Sequence, residues 1–126
     1  MTSINDPRVR KGQQVRSKAY PGKLTSRPDF VRQTDGLDEW IDSSVWGDIW
    51  GRPGLDMKTR SIATIAALCV LGQEPELRNH IGVALNLGWR KEEISEMFMQ
   101  LIFYGGGPNS LNALRVASEV FQERGI

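Results

Sequence analysis

At 126 residues, with 40% hydrophobic and 25% charged residues, the chain has the size and balance of one globular domain with a modest core. A formal net charge of +1 suggests no polyanion partner for the chain as a whole, and one cysteine excludes an intrachain disulfide and suits a reducing cytoplasm. The most apolar run, Ile62 to Leu71, falls far short of the roughly 20 residues that span a bilayer, and no apolar stretch near the start resembles a signal peptide.

The charge is unevenly placed. Residues 1–32 hold eight Lys/Arg against Asp6 and Asp29. Such a segment is either a solvated basic arm or an arm lying on an acidic surface, for instance that of a neighbouring subunit. No aromatics interleave with these charges, so nucleic acid is not an expected partner.

In chain order, Asp6-Pro7 is a helix start and Pro21-Gly22 closes the first helix. Residues 1–27 read as arm and first helix, and 28–126 as a helical core, within a single domain 1–126. A second helix starts near Pro28, with Leu37, Trp40, Ile41 and Val45 recurring at three and four and leading into Trp46, Ile49 and Trp50. Trp46 and Trp50 share a face, and Pro53-Gly54 stops the helix and leaves Arg52 at its corner. An aromatic wall edged by a guanidinium suits a flat, anionic small molecule; the same spacing equally describes two indoles that fill a core.

Asp56 can cap a third helix, which ends at Gly72. With Ile62, Ala63, Ile65, Ala66, Ala67, Cys69 and Val70 it is apolar on almost every face, which predicts the buried centre. Cys69 reads as core filler there. A fourth helix runs from Glu74-Pro75 to Gly88, with Leu77, Ile81, Ala84 and Leu85 on one stripe. A fifth runs from Lys91 to Tyr104, its early Glu92 and Glu93 suited to the positive helix start. Gly105-Gly106-Gly107-Pro108 breaks it, and a sixth continues to about Gln122. Strand-like alternation is absent, so the expected fold class is all-α, a six-helix bundle. Its surplus of apolar helical faces predicts an oligomer.

Few residues could carry chemistry. His80 is the only histidine, and a lone histidine is more often structural than catalytic. Arg60 falls in the first turn of its helix, where a cation is electrostatically unfavourable; either an ion pair with Asp56 or a function explains it. Gly105, Gly106 and Gly107 precede a helix start and could turn free N–H groups towards an anion, or form only a permissive loop.

The ordered blocks "WGDIWGRPGL", "TRSIATIAAL", "ELRNHIGVALNLG" and "EEISEMFMQLIFYGG" resemble the carboxymuconolactone decarboxylase family, over a span from "GQQVRSKAYPG" to "NALRVASEVF". The resemblance implies a small, all-helical protein without cofactor or metal that assembles as a homo-trimer or homo-hexamer. The family's histidine falls on His80, its "TRS" arginine on Arg60 and its "RPG" arginine on Arg52. The redox branch of the family carries a Cys-x-x-Cys pair where this chain has Gln73 and Glu76, and a single cysteine cannot run a disulfide cycle. Gly105 stands where the family usually has cysteine, Gly107 where it has an aliphatic residue, and Leu87 and Trp89 make the rim more apolar. These departures predict an enlarged pocket that admits a bulkier acid.

The activity so implied is cofactor-free decarboxylation of a carboxylated lactone. His80 would be the proton donor, acting near its ordinary pKa. Arg60 or Arg52, with Gly105–Gly107, would hold carboxylate and oxyanion, and Trp46, Trp50 and Tyr104 would form apolar walls. A relative acting on another cyclic or aromatic acid, by decarboxylation, cyclisation or isomerisation, and a non-catalytic oligomeric binding protein are the alternatives.

Overall fold

Asp6 starts the chain's first helix by accepting the Arg8 N–H on its carboxylate at 2.8 Å, and Pro7 follows with its φ already set for the helix. The computed structural model describes residues 6–21 and 27–126, and the regular structure among them is entirely helical. The chain divides into two compact units, residues 1–57 and 58–126.

In the first unit, α1 (Pro7–Ala19) packs against a π-helix, Asp42–Trp50, that continues directly from α3 (Leu37–Ile41). The predicted closure of α1 falls partly on Gly22, and Gly22 and Lys23 lie outside the described residues. The predicted second helix is divided. A short α2 (Asp29–Gln33) ends at Thr34, and Gly36, at φ 76°, turns the chain into α3. Its last turns then widen to i→i+5 bonding. Four residues apart, Trp46 and Trp50 still lie on one side, with ring centroids 4.8 Å apart, and Tyr20 meets Trp46 edge-on at 6.1 Å.

Asp42, at the head of the π-helix, is buried and held by two arginines. Arg16 donates to its Oδ1 at 3.2 Å and Arg27 at 2.5 Å, while Arg27 also donates to Asp38 Oδ1 at 2.6 Å. Burial works against the Arg27 charge, but the hydrogen bonds to Asp42 and Asp38 outweigh it and raise the pKa.

The second unit comprises α4 (Met57–Leu71, from Lys58 onward), α5 (Glu74–Asn86), α6 (Lys91–Gln100), α7 (Ile102–Gly105) and α8 (Gly107–Glu123). Leu77, Ile81 and Ala84 of α5 are buried, as their stripe predicts, with Ile94 and Phe98 of α6 and Ala113, Val116, Ala117 and Val120 of α8. The predicted fifth helix is divided at Leu101, where an i→i−3 bond to Phe98 O at 3.2 Å tightens the turn before α7.

The expectation that α4 is the buried centre needs correction. It buries one stripe, Ser61, Ile65 and Cys69, while Ala63, Ala67, Val70 and Leu71 are exposed. An all-round apolar composition leaves open which faces are covered, and here α5, α6 and α8 supply most of the centre.

Candidate functional site

The residues singled out by the sequence fall in both units: Trp46, Trp50 and Arg52 in the first, His80, Arg60, Tyr104 and Gly105–Gly107 in the second. Both indoles are at most 8% exposed and pack with Tyr20, so the core-filling alternative describes them. Arg52 is exposed at the end of the π-helix, its N–H bonded to Ile49 O at 3.1 Å.

His80 sits half-buried on α5, directly before the buried Ile81. Its Nδ1 is shielded from solvent and makes no hydrogen bond within the protein. Burial pushes its pKa below the ordinary 6.5, and the charge of Glu76, one turn earlier, opposes this only in part. The shift favours the neutral imidazole near pH 7, whereas the sequence points to a donor near its ordinary pKa. A buried, unpartnered ring nitrogen is the kind of polar atom that a ligand satisfies.

Arg60 is half-buried in the first turn of α4, and its carbonyl accepts the Thr64 hydroxyl at 2.8 Å. That turn is tied down by Ser61 and by Trp89, which the sequence places on the pocket rim. Ser61, fully buried, donates to Lys58 O at 2.6 Å, and the Trp89 indole N–H donates to the same oxygen at 2.7 Å. Trp89 is thus committed to α4 and is not a free apolar rim.

The triple-glycine turn also differs from expectation. A Cβ on Gly105 would lie 2.8 Å from Val70 Cγ2 and 3.2 Å from Val70 Cα, so this glycine faces α4 and enlarges no pocket. Gly107 has nothing within 4 Å of a built Cβ. Gly106 takes φ 89°, which a side chain would strain. Asn109 locks the turn by donating from Nδ2 to Val70 O at 2.9 Å and to Gly105 O at 3.1 Å. Its sequence signal was only that polar Asn109 stands directly after Pro108. Tyr104 is 80% exposed.

The concavity between α6 and α8, lined by Ser95, Glu96, Met99, Leu114, Phe121 and Gln122 among others, contains none of these residues. It is an open groove whose lining cation among the described residues is Lys91, and the chemistry-bearing histidine and arginine lie elsewhere. Among the described residues, no group of three His, Cys, Asp or Glu side chains is placed to share a metal ion, and no helix is long and apolar enough to cross a membrane.

Comparison with known proteins adds the lineage. The chain is 36% identical to a 4-carboxymuconolactone decarboxylase of Acinetobacter baylyi, over 97% of this chain and 92% of that one. It is 34% identical to a nitrosuccinic acid decarboxylase of Metarhizium robertsii, over 85% and 73% of the two chains. An uncharacterised 15.0 kDa protein of Paracoccus denitrificans is 40% identical over 71% of this chain and 64% of its own. The family profile described as the carboxymuconolactone decarboxylase family matches residues 36–119. With His80, Arg60 and the triple-glycine turn all inside that span, and similarity running through almost the whole chain, this protein belongs to the carboxymuconolactone decarboxylase family.

Proposed function

We propose that the protein is a decarboxylase of a carboxylated lactone, with His80 as the proton-transfer residue and Arg60 as the ligand of the substrate carboxylate. The observation that carries this reading is His80: the histidine of the family motif has a shielded Nδ1 without a hydrogen-bond partner. Similarity to a 4-carboxymuconolactone decarboxylase along 97% of the chain supplies the substrate class. Arg60 is preferred to Arg52 because it is half-buried and belongs to the same compact unit as His80.

Decarboxylation breaks the bond between the ring carbon and the carboxylate, releasing CO2. In an unsaturated lactone the electron pair moves through the ring double bond onto the carbonyl oxygen. The enolate oxygen needs hydrogen-bond donors, and a ring carbon then takes a proton as the enolate collapses. The lowered pKa favours neutral His80 in the free protein, so the proton is taken up from solvent as the substrate binds. An anionic carboxylate beside a buried imidazole favours the imidazolium, and binding is therefore coupled to uptake of one proton. That proton is delivered to carbon, and His80 returns to the neutral form. The step needs no external oxidant or reductant.

The assay is CO2 release from 4-carboxymuconolactone by the purified protein, with nitrosuccinate as a second substrate. Release from the lactone that is lost in His80→Gln supports the reading. Release from nitrosuccinate alone would favour a different acid, a reading that the 34% identity to the nitrosuccinic acid decarboxylase keeps open. Release from neither would overturn both.

The assembly belongs to the same proposal: a cytoplasmic homo-trimer or homo-hexamer. In the second unit Leu71, Phe103, Tyr104 and Leu111 expose large apolar side chains around the turn that joins α7 to α8, Phe103 at 92%. The four are uncharged, so the patch can meet its own copy without like-charge repulsion. Light scattering at micromolar concentration that finds only a 14.1 kDa species would exclude the assembly.

A further inference from the structure

The connection between α5 and α6 reaches back to the first turn of α4. Gly88, at φ 106°, turns the chain after α5 and presents Trp89, half-buried. The indole N–H donates to Lys58 O at 2.7 Å, and the Lys58 ammonium folds back over the indole, 4.6 Å from the ring centroid. One residue is thus gripped at both ends by the same tryptophan. The Ser61 hydroxyl adds a second side-chain donor to the Lys58 carbonyl at 2.6 Å. Glu93, in the first turn of α6, feels the Lys58 charge and itself accepts the Arg90 N–H at 2.9 Å.

Lys58 and Ser61 bracket Thr59 and Arg60. A helix start ordinarily frays, because its early residues have few bonds to hold them. Here the carbonyl at the base of that turn carries two side-chain donors, one brought from beyond α5. Phenylalanine or leucine would fill the same half-buried space. Only the indole combines that apolar body with an N–H directed at the carbonyl and a face that receives the ammonium.

We propose that Trp89 is a positioning residue for the reaction: by fixing Lys58 it sets the direction of the first turn of α4, and so the place of the Arg60 guanidinium. The inference rests on Arg60 being the ligand of the substrate carboxylate. Trp89 touches no reacting atom. Displacement of a binding group by about 1 Å can lower a rate by about 100-fold, so the loss of one remote hydrogen bond can be visible in kinetics.

The test is a double-mutant cycle on 4-carboxymuconolactone with Trp89→Phe and Arg60→Ala. Trp89→Phe keeps the ring and removes only the N–H. It should lower kcat/KM by about tenfold, mostly through a higher KM, with circular dichroism and oligomeric state unchanged. In the Arg60→Ala background the same change should cost less than about twofold, because the residue it positions is gone. A full tenfold loss in that background, or no loss in the Trp89→Phe single variant while Arg60→Ala is impaired, overturns the positioning role and leaves Arg60 in place. Wild-type activity in Arg60→Ala instead removes Arg60 as the carboxylate ligand and the positioning role with it.

Discussion

Gly12 of α1 lies so close to Asp42 that a Cβ placed on it would fall 1.6 Å from the Asp42 carbonyl oxygen and 2.4 Å from its carbonyl carbon. The helix backbone meets the head of the π-helix directly, and Gly47 repeats the close approach with Arg8 O 3.1 Å from its Cβ position. No rotamer relieves a clash between Cβ and backbone. Gly12→Ala should therefore destabilise the protein by about 3 kcal/mol or more, read from urea midpoints. A loss under about 1 kcal/mol would show that the two helices separate easily.

At Gly105 and Gly107 the structure predicts opposite outcomes for substitutions towards the family pattern. Gly105→Cys drives a side chain into Val70 and should cost about 1–3 kcal/mol of stability. Gly107→Ile meets open space and should stay within about 1 kcal/mol of wild type, since isoleucine also has a higher helix propensity than glycine at the start of α8. Thermal unfolding of the two single variants separates these expectations.

His80→Gln should lower turnover by about 10²–10⁴-fold without changing the fold, since glutamine keeps hydrogen-bonding capacity but cannot shuttle a proton. Near wild-type turnover of the lactone in this variant would make the histidine structural.

The lowered pKa of His80 has opposite consequences for catalysis and for stability. Substrate binding takes up a proton, so kcat/KM should rise as pH falls from about 8 towards about 6.5. Stability runs the other way. Folded His80 binds fewer protons than the unfolded chain, so folding loses stability as pH drops below the unfolded value of about 6.5. His80→Gln should flatten both profiles, measured by initial rates and by urea titrations at stepped pH.

Cys69→Ser should retain activity and oligomeric state. The thiol is 1% exposed in the core of the second unit, and burial raises its pKa, against a weaker opposing effect of the Ser110 hydroxyl. Exchange for a hydroxyl should cost about 1–3 kcal/mol, and loss of turnover in the folded variant would give the thiol a role in the reaction.

A further pH effect lies between α5 and α8. Arg78 hydrogen-bonds Glu119 at 2.8 Å and holds that carboxyl below its ordinary 4.5, with Arg115 adding to the effect. The stabilisation is present above pH 4.5 and disappears as pH falls through the lower folded value. Arg78→Gln should make stability less sensitive to acid in that window, and high salt should mimic it in part, because the pair is only half-buried.

Features legible in the amino-acid order are local. Asp6-Pro7 starts a helix because the carboxylate, the freed N–H groups and the proline φ lie within three residues of one another. The spacing of Leu77, Ile81 and Ala84 marks the buried face of α5 because one helix turn sets it. The ordered blocks around Arg60 and His80 likewise carried the family. Tertiary structure decided what depends on distant neighbours. Trp46 and Trp50 share a side in an α-helix and in a π-helix alike, so their spacing could not announce the wider turn. The exposed faces of α4 were hidden by its uniform apolarity, because only the neighbours choose which stripe is covered. In sequence Gly105 resembles a missing pocket wall and Trp89 a rim residue; the distant partners Val70 and Lys58 O give them other roles. The neutrality of His80 comes from burial against the rest of its unit, a sum over neighbours that no single motif contains.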